Sequence, residues 1–190
     1  MKSLKDMSIL ITGGGSGIGL GTARHCIDQG ATVTICGRRA DKIEAAAASL
    51  GSRCRAVAAD ITVADDREKL LAAALEHGGQ LDALVNNAGN MYRSAITELD
   101  EQALQEVFHT NVIAAMMLTG LCTPHLAERQ GAVVFVGSIH TRRAFPGASP
   151  YAATKAAVQG LTRVLAAELG EQKIRVNCLL PGAVFTEINQ

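Results

Sequence analysis

Six short apolar runs recur along the chain, and they constrain its fold more than any other feature. The runs are SILIT, TVTIC, RAVAA, LDALVN, GAVVFVG and IRVNCLL, and segments of helix-like composition such as ADKIEAAAASLG separate them. Because the runs are apolar throughout rather than alternating, they indicate strands covered on both faces, as in a parallel sheet between helices. The sequence therefore predicts an α/β protein with a doubly wound parallel sheet.

Composition predicts one domain and excludes several kinds of partner. The chain has 190 residues, 48% hydrophobic and 19% charged, which suits a single globular domain over residues 1–190. Eighteen basic residues balance eighteen acidic ones and no apolar run approaches a membrane span, so we expect neither a nucleic-acid nor a membrane partner. The five cysteines are widely spaced without a C-x-x-C pattern, which indicates no zinc site and favours a reducing cytoplasm.

A long helix is predicted between the fourth and fifth apolar runs. We expect Asp100 to be its N-cap and Pro124 to mark its end. Its apolar face comprises Leu104, Val107, Phe108, Ala115 and Leu118.

A glycine-rich segment, TGGGSGIG, joins the first strand to the helix after it. Its spacing fits T-G-x-x-x-G-x-G rather than G-x-G-x-x-G. Glycines let a phosphate approach the backbone, and a helix N-terminus offers N–H groups and a partial positive charge. The alternative is a tight connection without a ligand. If it binds a phosphate, the residues concerned are Thr12, Gly13, Gly15, Ser16, Gly17, Ile18 and Gly19.

Tyr151 and Lys155, in YAATK, lie four residues apart in an alanine-rich segment and share one face if it is helical. A phenol has a pKa near about 10, and a neighbouring ammonium favours the phenolate. Ser138 closes the fifth run, where the carboxyl ends of parallel strands form a ligand crevice. Alternatively, Tyr151 and Lys155 lie on an exposed helix face, and Ser138 satisfies a turn.

Taken in order, TGGGSGIG, NNAG, Ser138, YAATK and Pro181-Gly182 resemble the short-chain dehydrogenase/reductase family over essentially the whole chain. The resemblance implies a Rossmann-type sheet in the order 3-2-1-4-5-6 and hydride transfer between NADP(H) or NAD(H) and a small carbonyl or alcohol. The alternative is a catalytically idle nucleotide-binding regulatory or scaffold protein. Sugar-nucleotide epimerases are disfavoured, because their glycine loop is normally T-G-x-x-G-x-x-G.

The resemblance also implies a catalytic set and no metal. Tyr151 exchanges a proton with the substrate oxygen, Ser138 hydrogen-bonds that oxygen, and Lys155 binds the nicotinamide ribose. Asn111 matches the family asparagine that holds a water for proton relay, although its side chain could instead bond nearby backbone.

Further cofactor contacts are implied beyond the glycine loop. Asp60 resembles the acidic residue that binds the adenine amino group, with a helix N-cap as the alternative, and Ile61 follows it. Asn87 is expected to hold adjacent strands together within the cofactor site, while Asn86, Ala88 and Gly89 line the adenine-ribose side. Pro181, Gly182, Val184 and Thr186 match a segment beside the nicotinamide carboxamide.

The end of the second strand favours NADP, with NAD as the second option. Cys36 and Gly37 offer no carboxylate to repel a 2′-phosphate, and Arg38 could pair with it. Alternatively, Arg38 and Arg39 are only exposed side chains at the start of the next helix. Ser16 also lies where many NADP-preferring relatives carry a basic residue.

Three further expectations concern substrate, assembly and the end of the chain. His140, Arg142 and Arg143 lie in a loop that faces substrate in this family, where a charged substrate group is conceivable, although both arginines could simply be solvated. Helices near residues 100–127 and 151–170 are expected to form a homo-oligomer, a dimer or tetramer. Candidate contacts are Met116, Met117, Leu121, Val158, Leu161 and Leu165. The family's substrate lid and seventh strand would follow Gln190, and without them we expect little activity and aggregation.

Overall fold

The computed structural model describes residues 3–184, which form one six-stranded parallel sheet with helices on both faces. The strands are β1 Ser8–Thr12, β2 Thr32–Gly37, β3 Cys54–Ala58, β4 Ala83–Asn86, β5 Ala132–Val136 and β6 Arg175–Leu179. Their order is β3-β2-β1-β4-β5-β6. The predicted doubly wound sheet and its strand order are confirmed.

Within residues 3–184 the α-helices are α1 Gly17–Asp28, α2 Ala40–Leu50, α3 Ala64–Gly78, α4 Glu101–Phe108, α5 Ala114–Arg129 and α6 Ser149–Glu168. A π-helical segment, His109–Ile113, joins α4 to α5. Short 3-10 turns span Ile96–Glu98, Ile139–Thr141 and Gly170–Gln172.

Two apolar clusters fill the opposite faces of the sheet, which explains why the strands lack polar alternation. On β1, Leu10 belongs to the cluster beneath α3, α5 and α6, whereas Ile9 and Ile11 belong to the cluster beneath α1 and α2. Neighbouring strand residues point to opposite faces, so both faces of a central strand are buried.

The long predicted helix begins as expected but does not end at Pro124. The Asp100 carboxylate caps α4 by accepting from the Ala103 N–H at 2.7 Å. Pro124 lies inside α5, on its exposed side, where solvent can reach the Gly120 carbonyl that loses its usual partner. The helix ends after Arg129, where Gln130 adopts a left-handed conformation with φ 50°.

The continuous helical segment Glu101–Arg129 is long and apolar enough to cross a membrane, contrary to our expectation from the sequence. Length and composition are weak evidence here, because the core helix of a soluble protein passes the same test. The buried residues Ala115, Leu118, Cys122 and Leu126 belong to the core beneath the sheet.

The carboxyl ends of β1, β4 and β5 all reach one edge of the sheet. The glycine loop follows β1, the NNAG segment overlaps the end of β4, and Ser138 lies two residues after β5. The fold thereby brings three separate sequence motifs to one place.

Candidate active site

A cleft of about 630 Å³ lies at this edge of the sheet. The glycine loop, the segment after β4, the loop after β5, the start of α6 and the segment after β6 form its walls. Its lining residues are Gly13, Ser16, Gly17, Ile18, Asn87, Ala88, Gly89, Met91, Arg93, Val136, Gly137, Ser138, Ile139, His140, Phe145, Tyr151, Lys155, Pro181, Gly182, Ala183 and Val184.

The glycine loop is packed too closely for side chains. Gly13 has φ +66°, and a Cβ there would lie 2.9 Å from the Ala88 Cα. A Cβ on Gly19 would lie 2.3 Å from the Gly13 carbonyl oxygen. Ser16 is the N-cap of α1, but its side chain makes no capping hydrogen bond. The helix N-terminus is therefore presented to the cleft without a side-chain cap, which suits a phosphate.

Not every predicted loop residue lines the cleft. Thr12 is buried beneath it, and its hydroxyl accepts hydrogen bonds from the N–H groups of Asn87 and Ala88, each at 3.0 Å. Gly15 faces Ile43, and Gly19 lies behind Gly13. These three residues shape the loop.

The two asparagines at the end of β4 point in different directions. The Asn87 amide donates to the carbonyls of Thr12 and Gly13 at 2.9 and 3.0 Å, so Asn87 ties the two strand ends together as expected. Asn86 is buried and donates to the Thr119 hydroxyl on α5 at 3.0 Å. The prediction that Asn86 lines the cleft was wrong, because side chains alternate faces along a strand.

Tyr151 and Lys155 lie together at the start of α6, with Pro150 in its first turn. Both are buried, and the Lys155 Nζ lies 5.5 Å from the centre of the Tyr151 ring. The ammonium donates to the Val136 carbonyl at 2.8 Å. The alternative of an exposed helix face is therefore excluded.

Burial controls the charge of both groups. It lowers the pKa of Lys155 to about 8 and raises the pKa of Tyr151, while the Ser138 hydroxyl partly opposes the rise at the phenol. We expected Lys155 to bring the pKa of Tyr151 down. That was wrong, since desolvation outweighs the favourable contacts and the ammonium binds a backbone carbonyl instead.

Ser138 and His140 form a hydrogen-bonded pair after β5. The Ser138 Oγ lies 3.0 Å from the His140 Nδ1 and accepts from the His140 backbone N–H at 3.2 Å. The imidazole stacks on Phe145 with ring centres 4.2 Å apart and meets the edge of Tyr151 at 5.1 Å. Burial and the nearby Arg93 charge lower the pKa of His140.

Asn111 lies in the π-helical segment and is buried. Its amide oxygen accepts from the Asn90 N–H at 2.8 Å, and its nitrogen donates to the Asn90 carbonyl at 2.9 Å and to the Thr154 hydroxyl at 3.0 Å. The side chain therefore bonds nearby backbone, the alternative noted from the sequence. It also lies close to the cleft, because a Cβ on Gly89 would be 3.1 Å from its Oδ1 and 3.5 Å from the Lys155 Nζ.

Ala88 and Gly89 line the cleft, whereas Asp60, Ile61 and Arg38, the other residues predicted to contact the adenosine part of the cofactor, do not. The Asp60 carboxylate accepts from the N–H and hydroxyl of Thr62, at 2.9 and 2.7 Å, in the turn before α3. Partial burial works to raise the pKa of Asp60, but the Thr62 bonds and the charges of Arg38 and His109 lower it overall. Ile61 is buried in the core, and Arg38 is exposed just after β2.

The segment after β6 closes the cleft beside Ser138. The Pro181 carbonyl accepts from the Ile139 N–H at 3.0 Å, and Pro181, Gly182 and Val184 line the cleft. Thr186 lies outside the described residues. Arg142 and Arg143 are exposed and do not line the cleft.

Sequence reasoning missed Met91, Arg93 and Phe145, which line the same cleft as His140. None belongs to a recognised motif. Their positions directly after β4 and in the loop after β5 were nevertheless a usable signal, because loops at the carboxyl edge of a parallel sheet form its ligand crevice.

Comparison with known proteins agrees with the fold. The short chain dehydrogenase family profile matches residues 7–190. Dehydrogenase/reductase SDR family member 4 from Sus scrofa is 34% identical over 100% of this chain and 70% of its own length. The human protein of the same name is 36% identical over 98% of this chain and 69% of its own length.

Solved structures of related enzymes also resemble this chain. A 3-ketoacyl-(acyl-carrier-protein) reductase from Brucella melitensis, complexed with NADH, superposes with a TM-score of 0.95 at 34% identity, over 98% of this chain and 79% of that one. A Caenorhabditis elegans short-chain dehydrogenase/reductase of unknown function, solved with cofactor, gives 0.93 at 31% identity, over 99% and 73%. The chain belongs to the short-chain dehydrogenase/reductase family of oxidoreductases, which act on small substrates with NAD(H) or NADP(H).

Proposed function

We propose that the protein transfers hydride between NADP(H) and a small carbonyl or alcohol, with Tyr151 as the general acid/base. The observation that carries the proposal is the burial of Tyr151 and Lys155 on one face of α6, beside Ser138 and at the cleft. The rival function, an idle nucleotide-binding scaffold, is not favoured, since the polar groups of Ser138, Tyr151 and Lys155, which suit the reaction, line the cleft together.

The glycine loop fits a dinucleotide, because its backbone leaves no space for side chains and the N-terminus of α1 has no side-chain cap. A bound nicotinamide would supply the hydride. Gly13, Ser16, Gly17 and Ile18 would hold the phosphates, Lys155 the nicotinamide ribose, and Pro181, Gly182 and Val184 the carboxamide side. Ala88 and Gly89 would flank the adenosine ribose.

Tyr151 is suited to donating a proton. Since burial raises the pKa of Tyr151, the phenol is protonated at neutral pH and can give its proton to a carbonyl oxygen as reduction proceeds. The Ser138 hydroxyl would hold that oxygen. Lys155, with a pKa of about 8, remains mostly an ammonium at pH 7, so beside its bond to the Val136 carbonyl it keeps donors for the nicotinamide ribose.

We propose that Asn111 supports proton relay indirectly. Both N–H groups of its amide and one acceptor site of its oxygen are engaged by Asn90 and Thr154, so its contribution is to fix the π-helical backbone beside Lys155 and Gly89. A water for the relay would be held by this backbone, as π-helical turns often serve functional sites.

The choice of NADP rests on Arg38. It is exposed just after β2, and the neighbouring Gly37 offers no carboxylate that would repel a 2′-phosphate. We expect NADPH to bind more tightly than NADH by calorimetry, and Arg38→Ala to remove that preference. Equal binding of both cofactors by the natural protein would contradict the preference for NADP but not the proposed hydride transfer.

Turnover tests the function itself. A panel of ketones and aldehydes, followed by nicotinamide absorbance, should reveal reduction that Tyr151→Phe abolishes. Full activity of Tyr151→Phe would overturn the role of the phenol, and cofactor binding without turnover of any carbonyl would favour the scaffold.

We also propose a homo-oligomer built on α5 and α6. Met116, Met117 and Val164 are large apolar side chains that are 45%, 55% and 55% exposed. Ile113, in the π-helical segment, is also exposed, whereas Val158, a candidate from the sequence, is buried in the core. Light scattering of the natural protein and of Met117→Glu checks the assembly, which the charge should weaken.

A further inference from the structure

His140 lines the cleft, and one of its ring nitrogens is buried without a hydrogen-bond partner in the described part of the chain. Among the described residues 3–184, its Nε2 has neither a hydrogen-bond partner nor measurable exposure. Its ring is fixed by Phe145 on one side, Tyr151 at an edge, and Ser138 at Nδ1. A buried polar atom without a partner is costly, so a group that binds there gains that interaction.

The same end of the cleft is positively charged. Arg93 lines the cleft close enough to lower the pKa of His140, and its Nε contacts the Met91 sulfur at 3.2 Å. No aspartate or glutamate is among the lining residues of the described chain. A thioether is only a weak acceptor, so the guanidinium keeps donors for a ligand.

Ser138 fixes which nitrogen of His140 is the donor during the reaction. The serine has one proton, which the proposed function gives to the substrate oxygen. The Nδ1 of His140 must then be the donor in its 3.0 Å contact with Ser138. In an imidazolium, Nδ1–H can donate to Ser138 while Nε2–H donates to a second group of the substrate.

We propose that His140 and Arg93 form a subsite for a carboxylate of the substrate, so that the preferred substrates are keto acids or the corresponding hydroxy acids. This rests on the proposed function and adds the substrate class. An incoming carboxylate offsets the Arg93 charge and pairs with the imidazolium, so binding should take up a proton.

The direct test follows His140 itself by nitrogen NMR of the full-length protein. Its signals are assigned by comparison with His140→Asn. The charged or titratable groups that face the ring are Arg93, from the segment after β4, and Tyr151, from α6. Saturating 4-oxopentanoate should raise the pKa of His140, whereas its uncharged methyl ester should not. Equal shifts with acid and ester would overturn the subsite whether or not the protein turns over.

Kinetics give the second test. We expect kcat/KM for 4-oxopentanoate to exceed that for its methyl ester, and Arg93→Gln to lower this acid-to-ester ratio by about tenfold. Arg142→Gln is the matched control, since Arg142 is an exposed arginine outside the cleft, and it should leave the ratio unchanged. An unchanged ratio in Arg93→Gln would overturn the role of Arg93. Reduction of esters and acids at equal rates would refute the subsite but not the reductase function.

Discussion

The two ends of the cleft are built differently. At the glycine-loop end, backbone meets backbone: Gly13 approaches Ala88, Gly19 approaches Gly13, and Asn87 bonds two loop carbonyls. At the His140 end, side chains form the walls, and Phe145 is 40% exposed. A closely packed backbone tolerates few residue types, whereas a wall of side chains can change without disturbing the fold. Under the proposed function, this difference separates a cofactor site built of backbone from a substrate site built of side chains.

The largest effect should come from the phenol between the two ends. Tyr151→Phe should lower kcat by roughly 10²–10⁴-fold, because the transferable proton is lost, while cofactor affinity at the glycine loop stays nearly unchanged. Steady-state kinetics measures the loss of kcat, and calorimetry on the same preparation measures the cofactor affinity. A large loss of cofactor affinity would mean that the two ends are not separable in this way.

The burial of Lys155 should make the free energy of unfolding depend on pH in the alkaline range. Its folded pKa of about 8 lies below the ordinary 10.5, so between these values the folded protein has released a proton that the unfolded chain retains. Stability contributed by this residue therefore rises with pH across that window, by up to roughly 3 kcal/mol.

Urea unfolding of the natural protein and of Lys155→Met from pH 7 to 10 measures this difference. The free energy of unfolding of Lys155→Met should exceed that of the natural protein by most at pH 7, and this difference should shrink as the pH rises. Because Lys155 and Cys178 shift each other's pKa, both proteins carry Cys178→Ala, which removes the titration of the thiol from the comparison. A difference that stays constant with pH would show that the amine is not destabilised by burial.

The glycine-loop end should be intolerant of a single methyl group. Gly19→Ala should cost about 1–3 kcal/mol of unfolding free energy and weaken cofactor binding, because the Cβ would meet the Gly13 carbonyl at 2.3 Å. Gly21→Ala is the matched control on the same helix, with nothing within 4 Å of its Cβ, and should stabilise by about 0.5–1 kcal/mol. Similar effects of both substitutions would contradict the close packing.

The smallest effect on stability is expected at the His140 end. Phe145→Leu should change the free energy of unfolding by less than about 0.5 kcal/mol, since the side chain is 40% exposed. It should nevertheless change KM, because Phe145 stacks on His140. Thermal unfolding and substrate titration distinguish the two quantities, and a loss of stability as large as that of Gly19→Ala would remove the contrast between the ends.

The sequence by itself determined the parallel sheet and the residues that form the glycine-loop end, and the resemblance to a known family supplied the strand order. Unbroken apolar runs require burial on both faces, and the glycine loop and Tyr151–Lys155 spacing are local patterns that survive in the structure. The Asp100 cap was readable for the same reason, since it depends only on the next three residues.

Only the tertiary structure decided what depends on distant neighbours. It turned Asn86 toward Thr119, accommodated Pro124 inside α5 and placed Lys155 on the Val136 carbonyl. It also brought Arg93 into the same cleft as His140, although the two residues are 47 positions apart in the sequence. Desolvation, side-chain direction and the charge around a group are set by residues far away in sequence, so no local pattern can report them.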